Sequence, residues 1–403
     1  MIHLLLTERL MNTLLSSLDT PGKLPVSALL ALAVAGFITI LTEALPAGML
    51  PAIAASLKVS QALAGQLVTV YAVGSLLAAI PLTLATQRLR RRPLLLSAIA
   101  GFAIANTLTA LSHDYLLTLA ARFVAGISAG LLWALIAGYA ARMVHNSMKG
   151  RAIALAMVGT PLALSLGIPL GTWISQIVGW RSCFMTISLL TLFLIGWVIT
   201  SVPDFPGQNV RQQRLLPVLL LPGVRPILLV TLIFVLAHNI LYTYISPFLH
   251  RAGMGNNIST ILLIFGLTSL MGIAAVGTRV DRRLRELSLM VTALFALSAL
   301  ALIWNHPFII YAATGIWGLA FGGAPALFQT ALAKSSGEAA DVAQSMLVTA
   351  WNLAIAGGGV LGAAILNSVG PAGFPPVLLL LLLLCWTIIR GAHQHGFPGA
   401  DHR

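Results

Sequence analysis

The sequence predicts an all-α membrane protein of twelve transmembrane helices in two pseudo-symmetric six-helix bundles, and three observations carry that prediction. Of 403 residues, 58% are hydrophobic and only 8% charged. A soluble chain runs near ~25% charged, so water cannot be the solvent for most of this surface. Apolar runs long enough to span a bilayer, roughly 20 residues each, recur about twelve times along the chain. They fall into two sets of six, separated by a polar, proline-rich stretch, and parts of one set repeat in the other.

In order, residues 1–24 read as a cytosolic tail, because they lack the positive start and small-residue cleavage site of a secretory signal; Met11 is as suitable a first residue as Met1. Apolar runs then occupy residues 25–46, 61–86, 93–111, 116–140, 152–175 and 182–202. Residues 203–225 break the pattern with Pro203, Pro206, Gly207, Arg211, Arg214, Pro217 and Pro222, and form a cytoplasmic linker. Further runs follow at 226–249, 258–277, 287–304, 307–332, 342–366 and 374–390. The chain therefore divides into a tail (1–24), an N-terminal bundle (25–202), a linker (203–225), a C-terminal bundle (226–390) and a second cytosolic tail (391–403).

Orientation follows from the loop charges. With the N-terminus inside, nineteen of the 23 Lys and Arg residues fall in inner loops and tails, and only Lys58, Arg181 and Arg251 fall in outer loops. That bias places both termini in the cytoplasm. A net charge of +13 on a soluble domain would suggest nucleic acid, but here the cations sit in short loops between apolar runs. Their partner is a phospholipid surface, not nucleic acid. Cys183 and Cys385 both lie within apolar runs and offer neither a disulfide framework nor metal spacing. A monomer is expected.

The halves repeat. Arg151–Gly159 continued through Gly167-Ile-Pro169-Leu-Gly171 lies without a gap on Val342–Ala350 continued through Gly358–Gly362. Basic hairpins follow the second helix of each half: Arg88, Arg90, Arg91 and Arg92 in one, Arg279, Asp281, Arg282, Arg283 and Arg285 in the other. Parallel six-helix repeats place a substrate site between the halves near mid-membrane, with access alternating by rocking about it.

Five stretches resemble the major facilitator superfamily, and within it the proton-driven drug and sugar efflux branch. Thr42-Glu43-Ala-Leu-Pro46 is similar to the acidic first-helix motif of that branch, and Leu119–Gly130, which carries Arg122, to its fourth-helix arginine motif. Gly159, Pro161, Gly167, Pro169 and Gly171 resemble the fifth-helix antiporter motif, a packing and gating helix. Ala237–Phe248 and Asp341-Val-Ala-Gln resemble the bacterial sugar efflux transporters. The resemblance implies an antiporter of the bacterial cytoplasmic membrane, driven by the proton gradient without a cofactor. It departs in the second-to-third loop, where Gln87 stands in place of the usual Asp and Arg90 in place of a glycine; Asp281 is placed as the counterpart in the second half.

Glu43 is the one acid within a predicted span. A carboxylate in hydrocarbon is costly while ionised, which suits it to load and release a proton. Arg122, in an otherwise apolar run, costs at least ~2.5 kcal/mol on the most lenient scale unless it faces a polar interior. With helices 1 and 4 lining one cavity in the family, the two form either a pair that protonation breaks or a permanent salt bridge. His238, Asn239 and Tyr242 lie near mid-membrane in helix 7 and can hydrogen-bond a polar solute; Gln329, Asn352 and Trp133 are further cavity candidates from helices 10, 11 and 4. Trp351 and, on helix 2, Gln66 and Tyr71 are weaker ones.

No phosphate-binding loop and no His/Cys/Asp cluster with metal spacing occurs, so neither ATP-driven transport nor a metal centre is expected. An enzyme would need a second membrane carboxylate or a nucleophile–base pair, and none is visible. Proton-coupled uptake and a non-transporting sensor of the same fold are the alternatives to efflux. Low intramembrane charge argues against a strongly charged cargo, which leaves a small neutral or weakly charged organic solute, such as a sugar or a drug, as the expected one.

Overall fold

The computed structural model describes residues 24–86, 88–145, 148–207, 215–277, 279–280 and 282–398. Among the described residues, twelve helices are long and apolar enough to cross a membrane. The first six are α1 (Val26–Gly48), α2 (Gln61–Ala85), α3 (Arg91–Leu111), α4 (Tyr115–Arg142), α5 (Arg151–Val178) and α6 (Trp180–Ser201). The second six are α7 (Val224–Thr243), α8 (Ile258–Gly277), α9 (Leu284–Leu302), α10 (Pro307–Ser336), α11 (Val342–Ser368) and α12 (Phe374–Gly391). No strand occurs among the described residues. Helices suit this solvent because each satisfies its own backbone. Many hydroxyls do likewise, as when Thr39 Oγ1 donates to the Ala35 carbonyl at 2.8 Å.

Local chemistry sets the ends. Ser60 caps α2 by accepting from Leu63 N (3.2 Å), and Asp114 caps α4 by accepting from Leu117 N (2.8 Å). Gly179 (φ 83°) turns the chain from α5 into α6, and Gly223 (φ 90°) opens α7; both lie where L side chains are strained.

The halves share one plan. In the first, α2 packs on α4 and α3 on α6; in the second, α8 packs on α10 and α9 on α12. The close approach needs glycine: a Cβ on Gly126 would meet the Tyr71 carbonyl at 2.0 Å, and one on Gly322 the Ser269 carbonyl likewise at 2.0 Å. Between halves, α2 meets α11 and α8 meets α5, as a pseudo-two-fold relation requires. The break in α1 at Met49 (φ −113°, ψ 10°) recurs in α7 at Tyr244 (φ −110°, ψ 26°), each followed by a short helix, Leu50–Leu57 and Ile245–Arg251. The apolar run read as one helix over 226–249 is therefore interrupted near its end.

One face of the molecule gathers the basic hairpins. Arg90 pairs through Nε with Asp204 Oδ2 at 2.6 Å. Asp204 Oδ1 also accepts from Arg92 N (3.0 Å), and the Phe205 carbonyl accepts from Arg91 N (2.9 Å). Asp204 thus caps α3 from another part of the chain, and its anion offsets three arginines crowded at a helix N-terminus, where cations are unfavourable. Tyr139 and Arg142 complete the strap by donating to the carbonyls of Pro203 (2.6 Å) and Pro206 (3.1 Å). In the second half, Arg285 donates to the carbonyls of Arg390 (3.0 Å) and Phe397 (3.1 Å). Arg283 lies 3.8 Å from Glu286, and Arg88 and Arg282 are exposed. Asp281 and Gln87 lie outside the described residues.

Candidate functional site

Polar groups inside the bundle gather first around α1. Arg122 on α4 is wholly buried, its guanidinium 4.9 Å from the centre of the Tyr71 ring and 5.7 Å from that of Phe184. Nη2 donates to the Thr42 carbonyl at 2.5 Å and Nε reaches the Leu67 carbonyl at 3.5 Å, while Nη1 has no partner. Asn106 on α3 donates to Thr42 Oγ1 (3.0 Å), and Tyr71 on α2 donates to the Thr39 carbonyl (3.2 Å). Three helices thereby grip one stretch of α1.

Glu43 follows Thr42 and is half-buried. Among the described residues its carboxylate has no ion-pair partner within 4.0 Å. Arg122 is close enough to interact with it electrostatically, and so are Tyr71 and, from the other half, Tyr242. The structure places α1 against α7 and α8 of the other half, and hydrogen bonds from Arg122 to backbone stand where an ion pair with Glu43 was expected.

A second cluster surrounds α7. The His238 ring stacks on Phe321 with centroids 3.6 Å apart and on Tyr242 at 5.0 Å, with Trp317 at 5.3 Å and Phe265 at 5.6 Å. His238 Nδ1 and Trp317 Nε1 are buried without partners. Buried polar atoms ordinarily find a partner, so these two are available to water or a solute. Trp351 joins at 6.2 Å from Phe321. Asn239 and Asn352 are buried, and each spends its amide nitrogen on its own helix, on Val235 O (2.9 Å) and Val348 O (3.0 Å). Gln329 is exposed and lies about 12 Å along α10 from Phe321, outside this cluster. Trp133 on α4 is half-buried and faces Gly36 of α1.

The α5 motif is a distorted helix. Between Pro161 and Pro169 the chain forms a wide turn over Ala163–Gly167, as prolines that withhold N–H groups favour. Its glycines face α1: a Cβ on Gly159 would meet the Ala33 carbonyl at 1.8 Å, on Gly167 a Leu41 methyl at 2.8 Å, and on Gly171 Leu45 at 2.7 Å. The side toward the other half is the wide turn itself, where a Cβ on Gly266 of α8 would lie 2.3 Å from the Ser165 Cα.

Toward the face opposite the basic one, Tyr244 closes the halves together. It is wholly buried; its hydroxyl donates to the carbonyls of Gly359 (2.8 Å) and Ala62 (3.3 Å) and accepts from Gln66 Nε2 (3.3 Å). Gln66 Nε2 also reaches the Gly359 carbonyl at 3.3 Å. Gly65 and Gly362 make room for it, since a Cβ on either would fall within 2.5 Å of Tyr244. Beneath lies an apolar seam of Val68, Ala72, Val235, Ala354, Ile355 and Ala356.

The sequence model of the Major Facilitator Superfamily matches residues 32–359. The chain belongs to that superfamily. This facilitator is similar over 89% of its length, at 29% identity and covering 92% of the relative, to a probable sugar efflux transporter of Mannheimia succiniciproducens. A probable sugar efflux transporter of Pasteurella multocida is 28% identical (91% of this chain, 93% of the relative). A protein of Pseudomonas aeruginosa named transcription regulatory protein OpdE is also 28% identical (93% and 97%). Among solved structures, that of a D-xylose-proton symporter superposes with a TM-score of 0.77 over 94% of this chain and all of the other, at 15% identity, a likeness of fold. As a member of this superfamily the chain is a multi-pass membrane transporter.

Proposed function

We propose that this facilitator exports a small neutral or weakly charged organic solute, a sugar in the first instance, in exchange for protons. One observation carries the reading. Glu43, the acid placed deep within a membrane helix, sits half-buried and unpaired at the junction of the halves, within electrostatic reach of Tyr242, whose ring stacks on His238. A proton carrier beside a solute cluster is what exchange requires: a carboxylate that must be neutral to be comfortable in one state and charged in the other can tie proton release to rocking. The distorted α5 and the names of two relatives, each a probable sugar efflux transporter, support export, and the absence of deep charge other than Glu43 and Arg122 supports a neutral cargo. The basic face is assigned to the cytoplasm of a bacterial cytoplasmic membrane, with both termini there. The working unit is assigned as a monomer without a cofactor.

A second reading has its own support, because one relative is named a transcription regulatory protein. Counterflow in proteoliposomes separates the two. Vesicles loaded with unlabelled pentoses and hexoses should take up radiolabelled tracer, and an outward-directed flux should follow an imposed proton gradient. A sensor binds tracer without exchanging it.

A further inference from the structure

Arg122 is buried and charged, yet its hydrogen bonds go to backbone carbonyls. The reason lies four residues beyond Thr42. In a regular helix the N–H of residue 46 would bond the Thr42 carbonyl, but Pro46 carries no N–H. A buried carbonyl without a donor is costly, more so where no water reaches. Arg122 Nη2 donates to that carbonyl at 2.5 Å, while its Nη1 stays unpartnered. A guanidinium placed to ion-pair with Glu43 would spend that free group on it; this one does not. Asn106 and Tyr71 fix the same stretch at Thr42 Oγ1 and the Thr39 carbonyl.

We propose that Arg122 is a positioning residue that caps the carbonyl freed by Pro46, and so fixes the turn of α1 that presents Glu43 to the inter-half interface. The proposal rests on the reading of Glu43 as the proton carrier and assigns Arg122 a different part from that of its salt-bridge partner. It makes an unusual demand: the loss caused by removing the arginine should be repaired by removing the proline.

The test is a double-mutant cycle of Arg122→Gln and Pro46→Ala on the full chain purified in detergent. It is read by thermal midpoint and by the rate at which dicyclohexylcarbodiimide modifies Glu43, with Glu43→Gln as the unmodified control. Arg122→Gln alone should lower the midpoint and change the modification rate about tenfold, by exposing an unmet carbonyl and loosening the turn. With Pro46→Ala present the helix supplies its own N–H, so the midpoint drop should shrink and the rate change should fall below about threefold. If Arg122→Gln yields no folded protein, recovery of folded protein in the double variant is the expected result. Equal losses from Arg122→Gln in both backgrounds overturn the proposal, as does an unfolded double variant beside a folded Pro46→Ala. Neither readout uses a proton gradient, so an error in the carrier assignment would show only in gradient-driven flux.

Discussion

Tyr244→Phe removes one oxygen from the place where the halves are clasped and leaves the ring between Gly65 and Gly362 undisturbed. The lost hydroxyl gives bonds of 2.8 and 3.3 Å to Gly359 and Ala62 and takes one of 3.3 Å from Gln66. Only the bonds to Ala62 and Gln66 cross between the halves, and both are long. Side-chain hydrogen bonds in membrane proteins average ~0.6 kcal/mol and reach ~1.7, so their joint loss should fall in that range. With RT near ~0.59 kcal/mol, that favours the unclasped state by about 3- to 18-fold. Thr69 is a reporter beneath the clasp: it is buried, its hydroxyl has no partner, and it lies about 10 Å deeper along α2 than Ala62. After Cys183 and Cys385, both buried, are replaced by alanine, Thr69→Cys should react with an impermeant thiol reagent from outside the cell faster by that factor when Tyr244→Phe is added. An unchanged rate would refute the idea that these bonds hold the outer route shut.

Three further outcomes are expected. Asp204→Asn should lower the thermal midpoint near neutral pH. The Arg92 backbone N–H, with Arg90 beside it, holds the Asp204 carboxyl below the usual carboxylate range, so its contribution is present above about pH 4 and is lost as pH falls through the depressed value; midpoints that fail to converge in acid would contradict this. Pro169→Leu restores an N–H just after the wide turn of α5, whose Ser165 faces Gly266, and should slow counterflow with folded yield unchanged; wild-type exchange would leave the motif a packing role only. A cysteine at Asn257 should label in intact cells, whereas one at Asn209, which lies outside the described residues, should not; the reverse would invert the threading.

The twelve spans were legible because hydrocarbon tolerates little besides long apolar helices, and the pairing of α5 with α11 was legible in their aligned glycines. Gly167 packs on α1 as its counterpart Gly358 packs on α7. Other features depend on contacts between distant segments. Nothing near Asp204 announces that it caps α3, although the three arginines at that helix start were a signal that an anion was needed there. Tyr244 lies within the Ala237–Phe248 stretch, but its part as a clasp arises from the break in α7 and from glycines on α2 and α11. Gln66, placed among the weaker cavity candidates, bridges the halves. Whether Arg122 would meet the Glu43 carboxylate or the backbone beside it could not be read from spacing, because both lie on the same stretch of α1.

The most direct test of the account is gradient-driven flux in Glu43→Gln, a neutral mimic of the protonated acid. Exchange of solute for solute needs no net proton movement and should survive. Export against a concentration difference, driven by an imposed pH gradient in proteoliposomes, should be lost, because no proton can be released. Undiminished gradient-driven export in Glu43→Gln would contradict the assignment of Glu43 as the carrier.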